Sequence, residues 1–419
     1  MLHHTNIKPI DPDAYRPFVG ADSLKELTAL AKRFRGRKIL QLSSTSQGGG
    51  VAEMVRSVVG LYRGLELDVT WQTFEPPAGF FDITKQIHNG LQGETAGVSA
   101  KDWQFYESVN RELAAELDPS RWDAIIIHDP QPAAVRHGFL KKRSGRRAPV
   151  WAWRCHIDTS HPDPVVAKRF VPFLKQYDGA IYSMKEYRLP GFTPSETAII
   201  PPVIDPLAPK NQPMPGREAK QLITRYGINP KRPLVTQVSR FDRWKDPVGV
   251  IEAWKLARRQ VPNLQLALVG NTVNDDPESF QVLAEVRQAA ENESDIFIIE
   301  NIPAAKNDRD VKAFYVASDV VVQKSIREGF GLTVSEALWA ETPVVAGQVG
   351  GIVLQIESGK NGFLVSTADG AAAAIVKLIE NPKLAKQLGQ AGHEYVREHF
   401  LLPRLVADEL TFLNAILKS

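Results

Sequence analysis

Cysteine is almost absent: the chain of 419 residues holds one, Cys155. No intramolecular disulfide can form, so the fold must rest on an apolar core, and a reducing compartment suits it. An excess of charge of one sign is missing too. Lys and Arg number 51 against 48 Asp and Glu, a formal net charge of +3, which is too even for bulk attraction to nucleic acid or to an anionic membrane. No run approaches the roughly 18 uncharged apolar residues that a membrane-crossing helix needs. Met1 to Asp13 is polar and contains proline, without the apolar heart of a secretory signal. A cytoplasmic protein with no nucleic-acid and no membrane partner is therefore expected. The basic run Lys141-Lys-Arg143 with Arg146-Arg147 reads as a solvated loop.

What is present is an ordinary globular composition, 43% hydrophobic and 24% charged. The length exceeds the roughly 250–300 residues at which single cores stop growing, so two domains are expected. Short apolar runs at 38–42, 67–71, 124–127, 150–153, 179–183 and 197–200 alternate with helical spacing, as in Val51 to Tyr62. The continuous run Ala124-Ile-Ile-Ile127 suits a strand covered on both faces. Pro201-Pro-Val-Ile-Asp-Pro206 breaks the rhythm, and the proline-rich stretch to Pro215 reads as an interdomain linker. Strand-like runs then return at 234–238, 264–269, 296–299, 320–323, 343–346 and 362–365, followed by helical sequence over Pro382–Leu417. The pattern predicts an α/β fold of two doubly wound, Rossmann-like domains facing a cleft, with ligands beyond the carboxyl ends of the strands. The domains are placed at 1–205 and 206–395, with a helix at about 396–419 packing back on the first. Phe80–Asn110, rich in polar residues and glycine, is left open as a lid, an acceptor loop or a dimer contact.

The stretch Glu328-Gly-Phe-Gly-Leu-Thr-Val-Ser-Glu336 has the order strand end, glycine turn, helix start. Helix-start N–H groups lack internal partners and sit at the positive end of the dipole, so they suit an anion, while two flanking carboxylates suit neutral hydroxyls. A sugar joined to a diphosphate carries both kinds of group. Arg240 and Lys245, five apart after a strand, can stabilise the negative charge that builds on a departing diphosphate. A solvated basic loop, with Asp242 and Asp246 pairing the cations, is the plainer alternative.

Gly48-Gly-Gly50 follows the first strand and allows close backbone approach to a ligand, yet lacks the G-x-G-x-x-G spacing of a dinucleotide fold. His156 ends the strand at 150–154, where it can donate a hydrogen bond to a sugar hydroxyl. A Cys155–His156 nucleophile pair is disfavoured because neighbours on an extended chain point to opposite faces. His156, Asp158 and His161 match no strong zinc spacing, and no metal site is expected. His128-Asp-Pro-Gln-Pro132 caps the strand at 124–127.

Together these residues resemble the retaining GT-B glycosyltransferases of family GT4, over nearly the whole chain. His128-Asp-Pro-Gln-Pro132 and Trp153-Arg-Cys-His-Ile-Asp158 are more narrowly similar to the trehalose glycosyltransferring synthases. The resemblance implies that Arg240 and Lys245 hold the diphosphate, Glu328 the hydroxyls of the donor sugar and Glu336 the ribose. It also implies that N–H groups near Gly331, Leu332 and Thr333 touch the distal phosphate, and that Gly49 and Gly50 close on the phosphates. By the same resemblance His156 would contact the transferred sugar and Asp129 would help to seat the acceptor. The implied reaction moves glucose from a nucleoside diphosphate glucose, such as UDP-glucose or ADP-glucose, to free glucose. It gives α,α-trehalose with no obligatory cofactor and with a divalent metal allowed but not required. Catalysis is then chiefly positioning and leaving-group stabilisation, with closure by hinge motion near 201–215. The partners are these small molecules, and a homodimer is compatible with the sequence. Two rivals stand beside this: a trehalose phosphorylase-like enzyme using inorganic phosphate, and a non-catalytic regulator that binds sugar nucleotides.

Overall fold

The structure is a computed structural model that describes residues 1–46, 49–139, 148–270, 278–300 and 302–418. Gly48 and the basic run at 141–147 lie outside the described residues. The chain divides into two units, Met1–Val203 with Leu402–Ser419, and Ile204–Leu401. The changes of unit therefore fall at 203/204 and 401/402, where the sequence had suggested 205/206 and about 395.

The first unit begins with β1 (Leu2–Thr5), α1 (Arg16–Lys32), β2 (Lys38–Leu42), α2 (Gly49–Gly64), β3 (Asp68–Phe74), α3 (Phe80–Leu91) and α4 (Ala100–Glu116). It continues through β4 (Ala124–His128), β5 (Val150–Cys155), α5 (Pro164–Leu174), β6 (Gly179–Tyr182) and β7 (Glu196–Ile199). Among the described residues its sheet runs β1-β3-β2-β4-β5-β6-β7, parallel except where β1 joins β3 antiparallel. Leu40 lies opposite Ile125, and Ile125 opposite Trp151. The run at 124–127 is apolar at every position because helices cover both faces of this sheet and β4 is buried throughout.

Phe80–Asn110 is largely helical. It forms most of α3 and α4, whose Phe80, Ile87, Leu91, Trp103, Tyr106 and Val109 are buried in the core. The polar residues that suggested a loop lie on the outer faces of amphipathic helices. A capping box starts α4: the Ser99 hydroxyl accepts from the Asp102 N–H while the Asp102 carboxylate accepts from the Ser99 N–H. The polar N-terminus supplies β1, an edge strand whose exposed side chains hid it.

The second unit contains α6 (Gly216–Ile223), β8 (Leu234–Val238), α7 (Pro247–Arg258), β9 (Gln265–Gly270), α8 (Glu278–Ala289), β10 (Ile296–Glu300) and α9 (Ala304–Ala317). β11 (Val320–Gln323), α10 (Leu332–Trp339), β12 (Val344–Gly347), β13 (Phe363–Val365), α11 (Ala368–Glu380) and α12 (Pro382–His399) complete it. Its parallel sheet runs β10-β9-β8-β11-β12-β13 among the described residues. The proline-rich stretch is packed rather than loose. Ile204 bridges to Leu401, and the Trp339 indole N–H donates to the Asn211 carbonyl at 2.9 Å.

The helix expected over Pro382–Leu417 is two helices. α12 stops at His399, Phe400 leaves the helical region, and α13 (Leu402–Ile416) begins anew. Pro403 explains the break, since a proline inside a continuous helix would clash with the carbonyl four residues earlier. α13 belongs to the first unit and lies against β6 so closely that a Cβ on Gly179 would stand 2.6 Å from the Phe412 ring.

Candidate active site

Each sheet has one place where successive strands depart in opposite directions: between β8 and β11 in the second unit, and between β2 and β4 in the first. Open α/β sheets bind ligands beyond the carboxyl ends of strands at such points. Lys245 and Glu328 meet beyond β8 and β11, and Asp129 and His156 meet beyond β4 and its neighbour β5.

In the second unit, Lys245 ends a turn that β8 holds down, because the Gln237 side chain donates to the Lys245 carbonyl at 2.8 Å. Its ammonium pairs with Glu328, a buried carboxylate on the loop after β11. The two loops are laced together by the Ile326 N–H, which donates to the Trp244 carbonyl at 2.9 Å, and by Arg243 and Arg327, which flank the Trp244 ring at 4.9 and 5.2 Å. Arg240 is half-exposed and lies 3.5 Å from Asp242. Lys324, not foreseen, pairs with Asp246. Asp246 takes a positive φ of 49° to cap α7, accepting from the Gly249 N–H at 3.1 Å. Of the pairings expected for a plain basic loop, Arg240 with Asp242 is present, whereas Asp246 pairs with Lys324 instead and Lys245 reaches Glu328.

Gly331 precedes α10 with φ 84°, a conformation that glycine adopts without strain. It delivers the partly exposed N-terminal residues Leu332 and Thr333 beside Glu328. Glu336 is buried on the same helix, 2.7 Å from the Lys210 ammonium, and accepts from the Tyr315 hydroxyl at 2.9 Å. A carboxylate has about four lone-pair positions, so these two partners leave capacity for a diol. Lys210 was not foreseen either, because it lies in the stretch taken as linker.

In the first unit, Gly49 opens α2 with φ 81°, and among the described residues beyond its chain neighbours nothing lies within 4 Å of where a Cβ would project. Asp129 follows β4 with φ 63°, and its carboxylate accepts from the His156 N–H at 2.8 Å, joining the ends of β4 and β5. Part of the residue reaches solvent, yet burial of the carboxyl raises its pKa to about 7. The His156 Nε2 lies 2.9 Å from His128 Nδ1, and burial followed by the charge of Arg154 lowers both imidazoles, favouring the neutral rings. Cys155 is buried and its thiol is pushed up by that burial, which removes it as a nucleophile. The buried Gln41, Arg154 and Glu409 behind His128 had no sequence signal as a group, since Gln41 and Glu409 stand 368 positions apart. No group of three or more His, Cys, Asp or Glu gathers as a metal-binding cluster among the described residues.

Comparison with known proteins now bears on this geometry. Residues 41–189 match the family "Trehalose synthase, N-terminal domain", and residues 219–395 match "Glycosyl transferases group 1". A trehalose synthase from Rubrobacter xylanophilus is 42% identical over 405 residues, covering 96% of each chain. The chain belongs to the trehalose synthase family. This trehalose synthase family member is a glycosyltransferase, and its two-unit α/β fold is that of the GT-B glycosyltransferases. Among solved structures, the E. coli trehalose-6-phosphate protein bound with UDP-2-fluoro glucose gives a TM-score of 0.71 at 16% identity, covering 91% of this chain and 99% of that one. A trehalose phosphorylase from Pleurotus pulmonarius is 28% identical, over 87% of this family member and 55% of its own length. Among the described residues no helix is long and apolar enough to cross a membrane.

Proposed function

We propose that this family member moves a glucosyl group from a nucleoside diphosphate glucose to free glucose, with retention, and forms α,α-trehalose. The observation that carries the proposal is the pairing of Lys245 with Glu328 at the β8/β11 switch point, beside the start of α10. A sugar diphosphate presents hydroxyls to the carboxylate and phosphate oxygens to the ammonium, so the donor exchanges one salt bridge for two sets of contacts. Arg240, Lys245 and the N–H groups of Leu332 and Thr333 then carry the charge of the departing diphosphate, which strengthens as the glycosidic C–O bond breaks. With two cations in this role the diphosphate needs no divalent ion.

Retention follows from attack on the same face that the leaving group vacates. The acceptor hydroxyl forms the new C–O bond, and its proton passes to the departing phosphate oxygen. No protein nucleophile is required, and the enzyme's part is orientation and charge stabilisation, in the manner of family GT4. Asp129 seats the acceptor, Glu336 takes the ribose, and Gly49 and Gly50 leave room for phosphate at the start of α2. The protein acts in the cytoplasm, and homodimerisation remains compatible with this scheme.

The match to trehalose synthases over 96% of each chain, against a trehalose phosphorylase matched over 55% of its length, supports synthesis rather than phosphorolysis. The deciding experiment supplies UDP-, ADP- and GDP-glucose with glucose or glucose 6-phosphate, and separately supplies trehalose with nucleoside diphosphate or inorganic phosphate. Trehalose from free glucose, and its cleavage only with nucleoside diphosphate, are expected. Release of glucose 1-phosphate from trehalose and phosphate would establish the phosphorylase instead. Donor binding with no turnover of any pair would establish a regulator.

A further inference from the structure

Glu409 on α13 is fully buried in the first unit. Its carboxylate pairs with Arg154 and accepts from the Tyr62 hydroxyl at 2.7 Å and from the Gln41 amide nitrogen at 2.8 Å. The chain continues outward. The Gln41 amide oxygen lies 2.6 Å from His128 Nε2, and His128 Nδ1 lies 2.9 Å from His156 Nε2. These contacts fix the direction of every proton. A carboxylate beside a guanidinium only accepts, so Gln41 must turn its NH₂ inward and its oxygen toward His128. That oxygen only accepts, so His128 carries its proton on Nε2. A neutral imidazole has one N–H, so His128 Nδ1 offers a lone pair and His156 Nε2 donates to it. The proton of His156 is thereby used, and its Nδ1 is left with a lone pair. Among the described residues Nδ1 has no hydrogen-bond partner, and His156 is only partly buried.

We infer that Glu409 is a positioning residue: through Gln41 and His128 it sets the proton order that makes His156 Nδ1 a hydrogen-bond acceptor, so that His156 accepts a hydrogen bond from a sugar hydroxyl rather than donating one. This reverses the polarity expected from the strand-end position alone. The sugar half of the inference rests on the glucosyl-transfer reading above, and the tautomer half does not. Burial and Arg154 support it by keeping both rings neutral. A proton added to His128 Nδ1 would reverse the bond to His156 alone, leaving the contacts of Gln41 as they are.

The test begins with the full-length wild type carrying ¹⁵N-histidine, its ring nitrogens read by long-range ¹H–¹⁵N correlation between about pH 6 and 8. His156→Asn and His128→Gln assign the signals. The Nε2–H form is expected at both His128 and His156, and an Nδ1–H or charged His156 overturns the inference without any assay of activity. Gln41→Leu cuts the chain while leaving the Glu409–Arg154 pair in place, so it separates order from folding. A mixture of tautomers is expected, and an unchanged Nε2–H population would show that the order does not come from Glu409. Glucose donors and acceptors with single hydroxyls replaced by hydrogen or by fluorine then read the substrate side, since C–F cannot donate. At the hydroxyl facing His156 both replacements should lower kcat/KM alike, about fivefold to tenfold, and His156→Ala should erase the difference from the parent sugar. Fluorine tolerated at each position where hydrogen is not would mean that His156 donates, against the inference. If no sugar is transferred at all, the function proposed above fails, and the ring-nitrogen spectra still decide the proton order.

Discussion

Three side chains carry consequences that can be measured one at a time. Lys245 is expected to matter far more to transfer than to folding. A charge-assisted phosphate contact contributes roughly 1.5–3 kcal/mol, so Lys245→Ala should slow transfer at least about tenfold while circular dichroism stays native. Wild-type turnover in that variant removes Lys245 from the reaction. Glu328, its partner, is assigned to the sugar rather than to the nucleotide. Glu328→Gln should therefore weaken the use of glucose donors and leave nucleoside diphosphate binding intact in calorimetry. A loss of nucleotide affinity with sugar use preserved would exchange the roles of Glu328 and Glu336. Asp129 makes a different prediction, about pH. Burial raises its carboxyl from the ordinary range to about 7, so the folded state favours the protonated form. The stability this contributes is fully present below the unfolded-state pKa of about 4 and is lost as pH rises through about 7. Asp129→Asn cannot ionise, so relative to the wild type it should gain about 1–3 kcal/mol between pH 4 and pH 8, with the full shift discounted for the water that reaches the residue. Urea titrations of both proteins at several pH values check the sign, and a gap that does not change with pH counts against the raised pKa.

At the level of strands and helices, the site depends on close approach between the ends of β11 and β12. A Cβ on Gly347 would stand 2.1 Å from the Ser325 carbonyl oxygen, and Ser325 in turn donates to Glu328 at 3.3 Å. Gly347→Ala must push the loop that carries Glu328. A loss of about 1–3 kcal/mol in stability is expected together with weaker transfer, whereas Gly216→Ala, where the Cβ would meet nothing within 4 Å, should leave both unchanged. Equal melting temperatures for the two variants would refute this account of the packing. The same scale shows what the sequence could reveal. β4, β11 and the start of α10 were legible because a strand buried on both faces must be continuously apolar and a glycine turn must precede the helix. α3 and α4 were obscured because Gly90, Gly93 and the surrounding polar side chains resemble a loop until the burial of Phe80, Trp103 and Tyr106 is seen. Lys245 and Glu328 lie 83 positions apart, yet each stood in a readable motif. Gln41 and Glu409 did not, because a buried glutamine in a strand and a glutamate in a helix carry no local mark of their contact.

For the whole molecule, the decisive fact is that the chain returns to its first unit for its last helix. Glu409 neutralises the buried Arg154, and Leu405, Val406, Leu410, Phe412, Leu413 and Ile416 bury apolar surface beside it. A chain ending at Leu401 would leave the Arg154 guanidinium buried without its partner. That loss alone costs roughly 3–5 kcal/mol, before any apolar contact is counted. Domains hold only about 5–15 kcal/mol of net stability, so the truncated first unit should lose its native packing. The second unit retains its own sheet and core cluster within 204–401 and should fold when produced alone. Tryptophan reports on each separately, because Trp71, Trp103, Trp122, Trp151 and Trp153 lie in the first unit and Trp244, Trp254 and Trp339 in the second. Near-ultraviolet circular dichroism of the three proteins, with the first unit's tryptophans replaced in a parallel set, should show one cooperative transition surviving the truncation, that of the second unit. Adding residues 402–418 as a peptide should restore the other transition, and the same peptide with Glu409→Ala should restore it far less. A truncated chain that keeps both transitions at wild-type temperatures would mean that α13 covers a unit already complete without it.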